Sequence, residues 1–455
     1  VSGMEIPVTM NMAQKYAVSR DNPEEVFQFF LKNFGCARKV YNLSVDNYYK
    51  HLEAAGYTSG DKIPKVASLK ASELKKEYPY LKEADSLGIA NSLMDFSEAV
   101  RRFRGQGSHR EYTKRALRRD RSGTESLSFR GLKGIPKFHA KALGDFSYRT
   151  AAQYPVGKNG ARPTIRLEGD ILYLPKLKGG VRILLHRDFP KDARIGSVTV
   201  SMDTDGTFYV SIGYTRDIRV EMSLQQAAMD GTGMPEGLAF LGLDYSQSDF
   251  YVDNEGRKAN YPKYYRQSEE RLARLQKSLA RKEKDSLAYK KVLGQIQKLN
   301  TKIRNQRKDF LQKESTLLVS EYDAIVVEDI DLRGMGGALT LGKNLHDNGF
   351  GLFRQMLSYK LRRKGSCLVK TDRWYPSSKT CCQCGNVLEV LDLKTRTYQC
   401  PHCGMTMDRD WNAAANICAE GMRIFPEYLR SVVEAEQEAA LKAADRQRRR
   451  CRKAS

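Results

Sequence analysis

The sequence predicts a multidomain α/β protein with a basic surface, and three observations support this. The chain has 455 residues, too many for one ordinary core, because domains usually contain about 150 residues. Helical spacing of apolar residues, short alternating segments and fully apolar runs follow one another along the chain, which indicates units of different secondary structure. Lys and Arg number 77 against 54 Asp and Glu, a formal net charge of +23. This excess favours a polyanionic partner, because each neutralised phosphate releases counterions.

The sequence also predicts a cytoplasmic protein that does not associate with membranes. Runs of about 18 apolar residues, as a membrane span requires, do not occur, and residues 1–10 do not resemble a secretion signal. The chain has 9 cysteines, an odd number, and five of them cluster with ligand-like spacing. We therefore expect a reducing compartment and a bound metal rather than a disulfide framework.

The first half of the chain predicts a helical domain and a β domain. Residues 1–20 alternate apolar and polar positions, as expected for one strand of a sheet completed later. Residues 21–126 show helical spacing and predict a helical domain. Residues 127–236 contain short alternating segments, with Asp205-Gly206 as a hairpin turn. They predict an antiparallel unit, a small barrel that includes the first strand, followed by a linker.

The second half predicts a third unit built on apolar strands. Two apolar runs, 238–243 and 324–327, fall within residues 237–375. Between them, residues 262–313 form a helical stretch with 16 Lys and Arg against 5 Asp and Glu. A coiled-coil-like hairpin alone would explain its apolar stripes, but the excess charge would give two packed helices a basic face suited to nucleic acid. Residues 426–455 predict a flexible charged tail.

Two Cys-x2-Cys pairs predict a zinc ribbon within residues 376–406. The four ligands are Cys381, Cys384, Cys400 and Cys403, with 15 residues between the pairs. This spacing is typical of a tetrahedral site of four thiolates, which is closed and therefore structural. Cys382 and His402 are competing ligands, but they break the paired spacing.

Acidic residues stand where the apolar strands end. Asp244 follows the first run, Glu328 follows the second, and Asp408 and Asp410 precede a helix expected from Asn412. Each acid taken singly could be a turn residue, and Asp410 could be a helix N-cap. Three such acids in one α/β unit indicate a site for Mg²⁺ or Mn²⁺, because these ions prefer oxygen ligands.

Five motifs follow one another along residues 238–420. They are Gly242-Leu243-Asp244, Asn305-Gln306-Arg307-Lys308-Asp309-Phe310, Val326-Val327-Glu328-Asp329-Ile330, Pro376-Ser377-Ser378-Lys379-Thr380-Cys381 and Asp408-Arg409-Asp410-Trp411-Asn412-Ala413-Ala414. In combination and order, they resemble the RuvC-like nuclease of the TnpB proteins of insertion sequences. Weaker upstream matches are Gly134-Ile135-Pro136-Lys137-Phe138, Ser147-Tyr148-Arg149-Thr150 and Leu174-Pro175-Lys176-Leu177.

The resemblance implies an RNA-guided DNA endonuclease of a transposon, acting in the bacterial cytoplasm or nucleoid by metal-dependent phosphodiester hydrolysis. Its RNase H-like core would comprise 237–375 and 407–425, with the zinc ribbon inserted between them. Residues 1–20 and 127–236 would form a wedge β-barrel, and 21–126 a recognition domain. The catalytic trio would be Asp244, Glu328 and Asp410, with Asp408 and Asp329 as substitutes.

The resemblance also implies a guide RNA and double-stranded target DNA as partners, with one protein copy per RNA favoured. A short motif beside the target would be read by the protein, and the target sequence by pairing with the RNA. Candidate nucleic-acid-binding residues are Ser86, Asn91, Gln153, Tyr154, Arg271, Arg274 and Arg307.

Three alternatives remain at this point. A miniature type V CRISPR effector has a similar nuclease half, and a neighbouring repeat array rather than a transposon end would favour it. A DNA-binding regulator could use the fold without cleavage, and a transposase could use it for direct strand transfer. The intact acidic trio disfavours the regulator.

Overall fold

The computed structural model describes residues 5–105, 111–113, 116–117, 128–140, 146–154, 162–231, 233–330, 349–392 and 395–451. The chain divides into two compact units, one within residues 9–217 and one within residues 218–455 together with the first eight residues. The segments predicted as a helical domain and a β domain thus share the first unit. None of the described helices combines the length and apolar character needed to cross a bilayer.

Among the described residues, the longer α-helices of the first unit lie in the predicted helical segment. They are α1 (Glu24–Ala54), α2 (Ala71–Glu77) and α3 (Ser86–Arg104), and short 3-10 turns span Pro79–Lys82 and Phe129–Gly131. The carboxylate of Asp85 caps α3 by accepting from the backbone N–H of Leu87 at 2.9 Å, which satisfies one of the amides that the first turn leaves unpaired.

A seven-stranded sheet forms the rest of the first unit. Its strands are β1 (Glu5–Val18), β2 (Ser147–Ala151), β3 (Arg166–Glu168), β4 (Ile171–Tyr173), β5 (Val181–Leu184), β6 (Arg194–Met202) and β7 (Phe208–Glu221), in the order β2-β6-β7-β1-β5-β4-β3. The first strand joins this sheet as predicted, by pairing antiparallel with β5. Asp205-Gly206 lies in the turn between β6 and β7. Phe30 and Phe34 of α1 pack with Val198 and Ile212 of the sheet.

The second unit contains a four-stranded sheet, a small two-stranded sheet and five described helices. The strands are β8 (Phe240–Ser246), β9 (Phe250–Asp253), β10 (Ala324–Glu328), β11 (Leu368–Thr371), β12 (Thr397–Gln399) and β13 (Thr406–Asp408). The helices are α4 (Ser223–Asp230), α5 (Tyr264–Ala280), α6 (Leu287–Glu321), α7 (Phe350–Arg363) and α8 (Arg409–Cys451). The larger sheet has the order β11-β10-β8-β9, with β8, β10 and β11 parallel and β9 antiparallel.

The strands of this sheet are apolar throughout because both faces are covered. Leu243 and Val327 face a core that includes residues of α6 and α7. Val326 faces the opposite core, with Ile417 and Phe425 of α8. Parallel strands buried on both faces lose the alternation of a half-exposed sheet, which accounts for the two continuous apolar runs in the sequence.

The basic stretch forms two helices, α5 and α6, that pack through the predicted stripes. Their shared core contains Leu272, Leu275, Leu279, Ile296, Leu299 and Ile303. The apolar positions therefore serve packing, and the many charged side chains lie mostly outside it.

The last helix extends beyond the predicted nuclease segment. Residues 426–455 were expected to form a flexible tail, but α8 continues through Pro426 to Cys451, while 452–455 lie outside the described residues. Phe425, Leu429 and Val433 are buried in the core beside the sheet. This packing compensates for the helical hydrogen bond that Pro426 cannot donate.

Gly242 of β8 allows α8 to lie directly against the strand. A Cβ at Gly242 would lie 2.6 Å from the backbone N of Cys418 and would also overlap the carbonyl oxygen of Ala414. Such distances are shorter than packed atoms tolerate, so any larger residue must displace the helix or the strand.

We expect Gly242→Ala to destabilise the second unit by about 1–3 kcal/mol through this overlap. The matched variant is Gly294→Ala in α6, where an added Cβ meets nothing within 4 Å, so a gain of about 0.5–1 kcal/mol is expected. Guanidinium unfolding followed by tryptophan fluorescence reports on this unit, because both tryptophans, Trp374 and Trp411, lie in it. Equal midpoints for the two variants would contradict the close-packing argument.

Candidate functional site

Two of the predicted acids lie side by side at one edge of the four-stranded sheet. Val327 of β10 is paired with Leu243 of β8 in parallel register. The next residues are Glu328, the last of β10, and Asp244, which lies within β8 because this strand continues to Ser246. Both lie near the carboxyl ends of neighbouring parallel strands. Carboxyl ends of parallel strands are where α/β sheets commonly place their binding groups.

The third acid, Asp410, lies at the start of the last helix. Asp410 lies in the first turn of α8, and the close approach at Gly242 holds that helix against β8. Asp244, Glu328 and Asp410 line one cleft of about 700 Å³. The structure thus brings together three residues that are more than 80 positions apart in sequence.

Asp408, and not Asp410, caps α8. The Oδ1 atom of Asp408 accepts from the backbone N–H groups of Asp410 at 2.9 Å and of Trp411 at 3.0 Å, as an N-cap side chain does. Asp408 is exposed, whereas the Asp410 side chain is only 19% exposed. The capping role that the sequence left open for Asp410 therefore belongs to Asp408.

Burial raises the pKa of all three carboxylates, and neighbouring acids add to the effect at Asp244 and Asp410. Burial, followed by the charges of Glu328 and Asp410, raises the pKa of Asp244 well above its usual value. Burial raises the pKa of Glu328 against an opposing hydrogen bond from Ser377. Burial and the Asp408 charge raise the pKa of Asp410, against nearby Arg409 and Arg396. A cation bound among these groups would favour their ionised forms and so offset the rise in pKa.

Basic side chains surround the acids. Those that line the cleft are Lys263, Arg266, Arg373, Arg396 and Arg409. A guanidinium nitrogen of Arg396 lies 3.9 Å from an Asp410 oxygen. These residues were not predicted from the sequence, because they are scattered along the chain and only the fold collects them. Together they give a mixed site suited to a phosphate group beside a metal.

Asp329, which the sequence offered as an alternative catalytic acid, also lines the cleft. Its carboxylate is engaged by Arg373 at 3.3 Å and by Lys370 at 3.7 Å. The structure therefore gives Asp329 two cationic partners.

The loop that contains the buried Ser377 connects Glu328 to the cysteine cluster. The Ser377 hydroxyl donates to Oε1 of Glu328. The side-chain amide of Asn416 donates to the carbonyls of Ser377 at 2.8 Å and Thr380 at 2.6 Å. Asn412 adds a bond to the Thr380 carbonyl at 2.7 Å. Ser377 belongs to a quoted motif, but its contact with Glu328 was not predicted.

The four predicted cysteines form a compact cluster. Their sulfur atoms all lie within 4.8 Å of one another, and two of the sulfur pairs are 3.6 Å apart. Tetrahedral zinc with bonds of about 2.3 Å requires sulfur separations of about 3.8 Å, so the cluster fits zinc. The competing ligands Cys382 and His402 are exposed and lie outside the cluster.

The candidate motif readers on α3 differ in their surroundings. Ser86 is exposed, and its hydroxyl accepts from the Lys75 ammonium at 2.9 Å. Asn91 is buried and donates to the Arg149 carbonyl at 3.1 Å. Asn91 therefore has a structural contact, while Ser86 lies at the surface.

The candidates after β2 also differ. Gln153 is exposed. The Tyr154 hydroxyl donates to the Ile195 carbonyl at 2.8 Å, and its ring lies 4.5 Å from the Arg194 guanidinium. Tyr154 is thus held against the sheet.

The three candidate arginines of the basic hairpin fall into two groups. Arg271 and Arg274 are exposed on α5. Arg307 of α6 is half-buried, and its side chain lies against Gly349 at the start of α7. Of these three candidates, Arg271 and Arg274 are therefore the more accessible to a nucleic acid.

The chain matches two protein families and several curated relatives in sequence. Residues 217–338 match the family described as "Probable transposase", and residues 350–417 match the "Cas12f1-like, TNB domain". A "Putative RNA-guided DNA endonuclease" of Streptomyces pristinaespiralis is 30% identical over 394 residues, which cover 86% of this chain and 85% of that protein. The "Putative RNA-guided DNA endonuclease InsQ" of Escherichia coli is 26% identical, over 85% of this chain and 87% of that protein.

A solved structure shares the fold. The Cas12f1 protein in a cryo-EM structure with sgRNA and target DNA aligns with a TM-score of 0.50 at 11% identity, covering 90% of this chain and 99% of that chain. At this identity the likeness concerns the fold alone.

We expect one zinc ion per chain, held by the four-cysteine cluster. Cys403→Ser should lower the zinc content and the thermal stability, because a structural metal contributes directly to folding. Cys382→Ser changes a neighbouring thiol outside the cluster and should retain zinc. Elemental analysis with thermal unfolding measures both effects, and loss of zinc from the Cys382 variant alone would contradict the ligand assignment.

Proposed function

Since this chain belongs to the TnpB family of RNA-guided DNA endonucleases, we propose that it cleaves double-stranded DNA beside a short motif, by metal-dependent hydrolysis at Asp244, Glu328 and Asp410. The observation that carries this proposal is the convergence of the three carboxylates in one cleft lined with basic side chains. A regulator that only binds DNA would gain nothing from holding three acids together at this electrostatic cost.

The proposed domain roles follow from the same fold. The four-stranded sheet with α8 is assigned to the RNase H-like core, into which the zinc ribbon is inserted. The seven-stranded sheet is assigned to the wedge barrel, and helices α1 to α3 to the recognition domain. The parallel order of β8, β10 and β11, with β9 antiparallel at one edge, supports the assignment of the core.

Asp244, Glu328 and Asp410 would hold Mg²⁺ or Mn²⁺, since their donors are hard oxygens and their mutual repulsion favours a cation among them. An ion bound there would supply activation of water and stabilisation of the leaving oxygen. Arg396 and Arg409 would orient the scissile phosphate at the cleft, because guanidinium groups match phosphate geometry. The Asp408 cap keeps the first turn of α8 in place beneath Asp410.

Guide RNA and double-stranded DNA are the partners that suit the net charge of +23. Sequence-independent contacts with phosphates supply affinity, and pairing between RNA and DNA supplies target choice. The exposed arginines of α5 are proposed to contact the phosphate backbone.

The proposal predicts that the chain, purified with its RNA, cleaves a target that matches the variable part of that RNA. Asp244→Ala and Glu328→Ala should abolish cleavage in Mg²⁺ while guided target binding persists, because each variant removes a metal ligand and no nucleic-acid contact. Cleavage and gel-shift assays measure the two steps separately. Full cleavage by either variant would refute the assignment.

A matched pair distinguishes the two acids at the start of α8. Asp410→Asn should abolish cleavage, whereas Asp408→Asn should retain it, since Asn caps a helix as well as Asp does. The opposite result would transfer the catalytic role to Asp408.

We further expect Arg271→Gln combined with Arg274→Gln to weaken guide-RNA binding and to reduce its salt dependence. Each lost phosphate contact should lower the slope of log K against log salt by about 1. Filter binding at several salt concentrations measures the slope. Arg423→Gln is the control, because that guanidinium is paired with Glu420 at 2.7 Å. If the double variant and the Arg423→Gln control gave equal slopes, Arg271 and Arg274 would not contact the RNA phosphates.

A further inference from the structure

Glu328 is held by a buried serine that belongs to the zinc-ribbon segment. Ser377 is only 4% exposed, and its hydroxyl donates to Oε1 of Glu328, 49 residues away in sequence. Serine hydroxyls in loops commonly bond their own neighbouring backbone. Here the hydroxyl meets a carboxylate on another element, and bonds to charged acceptors are stronger than neutral ones.

The position of this hydroxyl is fixed by two buried asparagines of α8. Asn412 is 0% exposed and Asn416 is 4% exposed. Asn416 donates to the Ser377 and Thr380 carbonyls, while Asn412 donates to Thr380 and accepts from the Cys382 N–H at 3.0 Å. A buried amide with its partners satisfied specifies one arrangement, because leaving any of them unpaired is costly. These bonds tie the loop to α8.

We propose that Ser377 is a positioning residue that fixes the Glu328 carboxylate for metal binding, with Asn416 holding the Ser377 segment on α8. The proposal rests on the proposed role of Glu328 as a metal ligand. A glutamate side chain has three rotatable bonds and several staggered rotamers. A hydrogen bond to one oxygen selects among them and leaves lone pairs on the carboxylate for a metal. The same helix thus presents Asp410 directly and orients Glu328 through Ser377.

The test compares Ser377→Ala with Ser377→Thr in the full chain purified with its RNA. Groups that orient a metal-binding carboxylate typically contribute 10–100-fold in metal affinity. We therefore expect the alanine variant to need about 10- to 100-fold more Mg²⁺ for half-maximal cleavage, while threonine restores the wild-type midpoint. Mn²⁺ bound to the complex, measured by electron paramagnetic resonance against an Asp244→Ala complex, gives a readout that does not depend on cleavage.

Ser431→Ala provides the control. Ser431 carries the same hydroxyl on an exposed part of α8, where it donates to the Tyr428 carbonyl at 2.7 Å, whereas the bond to Glu328 comes from Ser377. Its Mg²⁺ midpoint should stay near the wild-type value, and the zinc content of every variant should be unchanged.

Each outcome decides the proposal. A higher Mg²⁺ midpoint and weaker Mn²⁺ binding in Ser377→Ala alone, with rescue by threonine, support it. An unchanged midpoint overturns it, as does a loss of zinc or of stability without a change in metal affinity, since the hydroxyl would then support only the loop. If the wild-type complex cleaves no target, the proposed function fails, while the Mn²⁺ comparison still decides the role of Ser377.

Discussion

The packing of the last helix on the central strand is the constraint on which the site depends. Because Gly242 lacks a side chain, the backbone of α8 lies almost where a Cβ would be, and this fixes where the helix can begin. Asp410 therefore lines the same cleft as Asp244 and Glu328, and the charges of Glu328 and Asp410 disfavour ionisation of the buried Asp244. The repulsion is opposed by burial of side chains such as Phe425 and Leu429, each worth about 1.5–3 kcal/mol. One unit of pKa shift costs about 1.4 kcal/mol, so such packing can hold the carboxylates together.

The parts of the fold that depend on residues close together in sequence could be predicted from the sequence. Continuous apolar runs ending in Asp244 and Glu328 predicted buried strands, and the strands end close to those residues. The spacing of the cysteines predicted a cluster that the structure contains, because each Cys-x2-Cys pair forms within a single turn. The meeting of Asp410 with the other two acids could not be derived from spacing, since it depends on where a distant helix packs. The sequence indicated one metal site for these acids, and the family resemblance selected Asp410 rather than Asp408 as its third member.

The features that escaped prediction all depend on contacts between distant segments. Asp408 and Asp410 are equally good caps as residue types, and only the backbone of α8 decides between them. Pro426 ordinarily ends a helix, yet α8 continues because neighbouring apolar residues are buried in the core. The contact between Ser377 and Glu328 joins a loop to a strand and has no local signal.

A closed site of four thiolates has no open position for chemistry. The segment that carries the four cysteines nevertheless places side chains in the cleft. Its strand β12 pairs with β13, so that Thr397 lies opposite Asp408. Arg396, the residue before β12, accepts a backbone hydrogen bond from Arg409 at 2.8 Å and points a guanidinium nitrogen toward Asp410. The ribbon thus positions Asp408, the N-cap of α8, and places the Arg396 side chain at the cleft. On its other side, the segment before Cys381 carries Ser377 to Glu328. The segment around the four cysteines therefore contacts the surroundings of both Asp410 and Glu328.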